Sequence, residues 1–150
     1  MDHSSFTSSQ KSFEVYTDGS HSQKRGGYAF IVVSKDRVIH KFVSNSENET
    51  TNNIMELKAI LAAFEFVEEK GYERVTVKSD SEYSVKSITL WKLNKKKKNH
   101  DLIHKCIECY KRLRKQGVEL KWIRGHQKTG KDSFYNAIVD ELANKARLQV

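Results

Sequence analysis

Apolar positions along the chain follow two rhythms. A β-type rhythm of alternating or continuous apolar residues runs through FEVYT (13–17), GGYAFIVVS (26–34), RVIHKFVSN (37–45), RVTVKSD (74–80) and VELKWIR (118–124). Only Lys35 and Asp36 separate the second run from the third, which predicts a hairpin. A helical rhythm occupies 52–70, where Leu57, Ile60, Leu61, Phe64 and Val67 recur at three- and four-residue spacing; Thr51 or Asn52 suits its N-cap and Gly71 its end. A short helix is predicted from Ser81, a longer one over roughly 100–116 stopped at Gly117, and a last one over about 134–147. Three strands in succession, then strands alternating with helices, predict an α/β fold. Its five-stranded mixed sheet has three antiparallel strands followed by parallel ones, the first strand central and helices on the faces.

Composition narrows the partners. At 150 residues with 37% apolar content the chain suits one domain, expected over 12–150 behind a disordered, Ser-rich leader at 1–11. A formal charge of +8 favours a polyanionic partner, although a merely soluble basic protein has the same balance. No apolar run approaches the roughly 20 residues that cross a bilayer, and MDHSSFTSSQKS has no apolar signal core, so a cytoplasmic location without membrane contact is expected. Cys106 and Cys109 share a helix face with His100 and His104 nearby, which are nominal zinc donors. No turn separates the pairs, however, and Ile103, Ile107 and Tyr110 continue an apolar stripe through them, so reduced, half-buried thiols are expected.

The chemistry lies in the acids. The first apolar run stops at Asp18, followed by Gly19 and Ser20, and Asp-Gly is also an ordinary hairpin signal. The fourth run stops at a second acid, Asp80. If these two strands are parallel neighbours, both carboxylates project from the sheet edge where α/β proteins bind ligands. Side by side they repel, and a divalent cation with oxygen ligands removes that cost. Glu56, in the first turns of the helix at 52–70, and Asp140, expected within the first two turns of the last helix, can reach the same edge. Each taken alone also reads as a helix-dipole or surface acid.

Six motifs, YTDGS (16–20), TTNNIMEL (50–57), KSDSEY (78–83), ITLW (88–91), KWIRGH (121–126) and NAIVDELANKA (136–146), resemble in order and spacing the ribonuclease H family, type 1. The resemblance implies a ribonuclease H-like fold and an endonuclease that hydrolyses the RNA strand of RNA–DNA hybrids, leaving 5′-phosphate and 3′-hydroxyl ends. It implies that Asp18, Glu56, Asp80 and Asp140 hold two Mg²⁺ ions, with Mn²⁺ a possible substitute, and that His126 assists proton transfer or product departure. It further implies that Asn53, Glu56 and backbone groups at Gly19 and Ser20 sense the RNA 2′-hydroxyl, that Asn136 holds the RNA strand, and that Thr51 and Asn52 grip a DNA phosphate. Thr51 and Asn52 read equally as plain N-caps, and His126 as an exposed loop histidine. Lys95, Lys96 and Lys97, in KLNKKKKN, stand where many bacterial relatives carry a larger basic protrusion; they read as phosphate contacts or as a solvated charge run. The turn HSQKRGGY is shorter than in many relatives, and Glu82 stands where Gln is frequent. A monomer is expected. The competing readings are a nuclease of the same fold acting on other nucleic acids, and a non-catalytic nucleic-acid-binding module.

Overall fold

The computed structural model describes residues 11–90, 98–125 and 127–149. All but the last residue of the expected leader, together with Lys95, Lys96, Lys97 and His126, lie outside the described residues.

Strands β1 (Phe13–Ser22), β2 (Arg25–Ser34), β3 (Arg37–Val43), β4 (Val75–Ser79) and β5 (Val118–Trp122) form one sheet in the order β3-β2-β1-β4-β5. β1 is central, antiparallel to β2 and parallel to β4, and β5 runs parallel to β4. Helices α1 (Asn52–Lys70), α2 (Glu82–Thr89), α3 (His100–Arg114) and α4 (Lys131–Leu148) complete the expected α/β architecture.

Both faces of the sheet centre are covered, so Val15 and Tyr16, neighbours pointing to opposite sides of β1, are both fully buried. On one side Val15, Phe30 and Val77 meet Leu57, Ile60 and Phe64 of α1 and Ile103, Ile107 and Leu113 of α3. On the other, Tyr16, Ile31 and Val33 meet Tyr135, Val139 and Ala143 of α4. Each such large side chain, fully buried, contributes about 1.5–3 kcal/mol. The Thr51 hydroxyl accepts from the Ile54 N–H at 3.2 Å and caps α1, while Gly71, at φ 67°, ends it. Both cysteines are free and buried, Cys106 at 0% and Cys109 at 2% exposure, rather than half-buried. Among the described residues, no helix is long and apolar enough to cross a membrane.

Several strand ends shift by one or two residues, and three further boundaries differ from expectation. β1 does not stop at Asp18: Asp18, Gly19 and Ser20 pair with Ala29, Tyr28 and Gly27, and the hairpin turns at Gln23 and Lys24, both at positive φ. The ladder to β2 outweighs the local turn signal of Asp-Gly. α3 ends at Arg114, two residues early, and α4 begins at Lys131 rather than 134. The early start of α4 places Asp140 at its tenth residue, in the third turn rather than the first two.

Candidate active site

Parallel pairing of β1 and β4 ends at Thr17 opposite Ser79, so Asp18 and Asp80 are the next residues on adjacent strands. β1 continues past that point and β4 does not. The Ser79 hydroxyl accepts from the Ser81 N–H at 3.0 Å, and Ser81 then caps α2, which turns the chain away just after Asp80. Trp122 Nε1 donates to the Asp80 carbonyl at 3.3 Å and ties that turn to β5.

Glu56 arrives from α1 by close backbone approach. A Cβ added at Gly19 would stand 2.6 Å from the Glu56 nitrogen and 2.7 Å from the Met55 carbonyl carbon, so only glycine lets the helix lie this near the strand. The contact is polar as well: the Gly19 N–H donates to Glu56 Oε1 at 2.7 Å and lies 3.0 Å from Asp18 Oδ1. Gly125 plays a matching part beside β5, where a Cβ would come within 2.9 Å of Asp80 Oδ2.

The result is a group of three carboxylates, Asp18, Glu56 and Asp80, each offering an oxygen within 4.8 Å of the others. Asp140 stands outside that tight group yet close enough to Asp18 to perturb it. Asp18 and Glu56 are buried, at 3% and 6% exposure, and among the described residues neither forms an ion pair with Lys or Arg. Burial pushes the Asp18 carboxyl far above the ordinary carboxylate range, and the charges of Glu56, Asp80 and Asp140 push it further. Burial and the Asp80 charge raise Glu56 too, less so because the Gly19 N–H and Asp18 favour its ionised form. An all-oxygen donor set whose members repel one another, two of them buried and without a Lys or Arg partner among the described residues, fits a hard divalent ion. Beside it, a recess of about 290 Å³ is lined by Asp80, Gln127, Ser133, Asn136, Ala137 and Asp140. Asn136 Nδ2 donates to Asp80 Oδ2 at 3.5 Å, and its buried Oδ1 has no partner among the described residues.

The other sequence candidates spread around this centre. Thr51 is the α1 cap, and Asn52 and Asn53 are exposed on its first turn, ahead of Glu56. The Ser20 hydroxyl is engaged with α4: it donates to Asn144 Oδ1 at 2.5 Å and accepts from Arg147 Nε at 2.8 Å. Sequence reading passed over Trp122, which holds the Asp80 backbone, and Gly125, whose missing side chain leaves room for the Asp80 carboxylate. Both lie inside KWIRGH, directly before His126, which was the only available signal.

Residues 10–147 match the family model described as RNase H. The chain is 34% identical over 143 residues to the ribonuclease H of Neorickettsia sennetsu, covering 89% of this chain and 91% of that protein. It is 33% identical over 138 residues to the ribonuclease HI of Helicobacter pylori, covering 88% and 93%. Among solved structures, LC11-RNase H1 in complex with RNA/DNA hybrid superposes with a TM-score of 0.71 at 22% identity, over 90% of this chain and 96% of that one. Fold, carboxylate cluster and sequence agree, and the chain belongs to the ribonuclease H family.

Proposed function

We propose that residues 12–150 form a single catalytic domain that hydrolyses the RNA strand of RNA–DNA hybrids with Mg²⁺, acting as a cytoplasmic monomer. The observation that carries this reading is the convergence of Asp18, Glu56 and Asp80 within 4.8 Å, two of them buried and uncompensated, with Asp140 beside Asp18. Asp18, Glu56, Asp80 and Asp140 would hold two Mg²⁺ ions, which when bound would supply Lewis-acid activation of the attacking water and charge stabilisation at the leaving 3′ oxygen. Asp18 lies at the centre of the acids, on the strand that the others approach, and is the least replaceable.

The remaining roles belong to the chain's own groups. The Gly19 N–H holds Glu56 against Asp18 and keeps its carboxylate aimed inward. Asn136, with Nδ2 on Asp80 and its buried Oδ1 without a partner among the described residues, can accept from a hydroxyl of the RNA strand. Asn53 and Glu56, three residues apart on α1, present an amide and a carboxylate that can read the 2′-hydroxyl, a donor and an acceptor together. Thr51 and Asn52 bring the start of α1 to a DNA phosphate. His126 is assigned proton transfer near neutrality. Lys95, Lys96 and Lys97 are assigned phosphate contacts, and Lys121 and Arg124, on the border of a recess of about 510 Å³, add positive charge near the site.

Uniformly labelled hybrid, double-stranded RNA and double-stranded DNA, each incubated with Mg²⁺ and with chelator, test the reading. The expected result is metal-dependent cutting of the hybrid's RNA strand to 5′-phosphate products. Equal cutting of double-stranded DNA, or cutting that persists in chelator, overturns it. Gel filtration tests the monomer.

A further inference from the structure

A second polar cluster lies on the same face of the sheet as the acids, and its spacing matches theirs. Along β1, Glu14, Tyr16 and Asp18 alternate toward α4; on β4, Lys78 sits opposite Tyr16, and Asp80 follows two residues later. Along α4, Asp132, Asn136 and Asp140 recur every four residues, one above the other on a single helix face. The two series meet at successive levels. Asp132 Oδ1 accepts from the Tyr16 hydroxyl at 2.6 Å and from Lys78 Nζ at 2.7 Å. One turn on, Asn136 meets Asp80 at 3.5 Å, and one turn further Asp140 lies by Asp18.

The levels differ in strength. The Asn136–Asp80 hydrogen bond is long, and the contact of Asp140 with Asp18 joins two acids, so neither holds the helix as an ion pair does. The apolar contacts of Tyr135, Val139 and Ala143 press α4 onto the sheet, but hydrophobic packing is non-directional and tolerates sliding or rotation. The first level is both strong and directional, the counterpart at the start of α4 of the Ser20 hydroxyl's bonds to Asn144 and Arg147 near its end. Lys78, 11% exposed at its side chain, is held by Asp132 and by Glu14, and Lys131 at the start of α4 also binds Glu14, at 2.6 Å.

We propose that Lys78, acting through Asp132, is a positioning residue: this ion pair fixes the height and rotation of α4 so that Asn136 and Asp140 stand against Asp80 and Asp18. The proposal rests on the reading of the four acids as a metal site. Lys78 and Asp132 need touch neither substrate nor metal.

Lys78→Met, Asp132→Asn and the conservative Lys78→Arg test it, with Mn²⁺ as the probe. Mn²⁺ binding is measured without substrate, from the electron paramagnetic resonance of the free ion, beside kcat and KM on a hybrid and the thermal midpoint. The expected Lys78→Met result is about tenfold weaker Mn²⁺ binding, the usual scale for losing a partner that orients a metal ligand. A similar fall in kcat should accompany it, with KM within about twofold and both losses largely restored in Lys78→Arg. If Lys78→Met does not fold, Asp132→Asn, which keeps an acceptor for Tyr16, carries the same criteria. A folded variant that binds Mn²⁺ and turns over like the wild type, whatever its melting temperature, overturns the proposal. Wild-type protein that binds no Mn²⁺ overturns instead the metal-site reading beneath it.

Discussion

Two groups of carboxylates share one face of the β1–β4 pair and differ in what answers their charge. At one end Glu14 and Asp132 meet Lys78 and Lys131. Burial would raise both acids, but the hydrogen bonds of Lys131 and Lys78 to Glu14, and of Lys78 and Tyr16 to Asp132, outweigh it and hold them below the ordinary range. Further along the strands Asp18 has Glu56, Asp80 and Asp140 as neighbours, and Asp18 and Glu56 are pushed up. Both groups are partly or wholly buried, so burial alone does not separate them. Compensation does. Acids satisfied within the fold stabilise it, whereas buried acids that face each other are destabilising until something from solution joins them.

That contrast is open to attack, beginning with the largest effect. Asp18→Asn should lower hybrid cleavage at least about 1,000-fold, roughly 4 kcal/mol of barrier, while hybrid binding survives; cleavage within tenfold of wild type would break the comparison outright. Gly19→Ala should follow. Its new methyl meets the α1 backbone, so Glu56 shifts from Asp18, and kcat should drop about 100-fold with a destabilisation of about 1–3 kcal/mol. An unchanged kcat would mean that the close approach of α1 to β1 does not serve the site.

The two smaller effects sharpen the contrast through pH, because the groups carry opposite signs. Asp18 and Glu56 have folded pKa values above their unfolded ones, so stability is fully present below the unfolded value, about 4, and is lost as pH rises. In chelator at pH 8, Asp18→Asn should therefore melt above the wild type by about 3–6 °C, on the order of 1–2 kcal/mol, with the gap closing toward pH 4. Glu14 is the reverse case: its contribution is present above the unfolded value and is lost as pH falls through the lower folded one. Glu14→Gln should lower the melting temperature at pH 7 by about 2–4 °C, about 1 kcal/mol, and the deficit should shrink as pH falls through the folded pKa of Glu14. A deficit that does not shrink with falling pH would point to packing rather than charge.

Much of this was legible in the sequence. The mixed sheet and the central place of β1 followed from three β-type runs preceding the first helix and strands alternating with helices after it, and the Thr51 and Gly71 boundaries of α1 from cap chemistry. The acids stood out because Asp18 and Asp80 each close an apolar run, and parallel pairing then forces them together. Local windows failed where a distant partner decides. Asp18-Gly19 reads as a turn until β2 is alongside to extend the strand through it. The start of α4 was hidden in a polar stretch, since Lys131 and Asp132 carry no apolar periodicity and are held by Glu14 and Lys78 from far along the chain. The group around Lys78 was missed for the same reason. The i, i+4 spacing of Asp132, Asn136 and Asp140 was the one trace of it in the sequence.

The two buried thiols have a practical consequence. Burial pushes the Cys106 thiol up to about 12 and the Cys109 thiol up to about 11, so almost no thiolate is present at neutral pH to attack a maleimide or a disulfide reagent. A single cysteine introduced on the exposed side of α4 would then be the preferred labelling position without removal of the native pair, and a fluorophore or spin probe there would follow the helix during turnover.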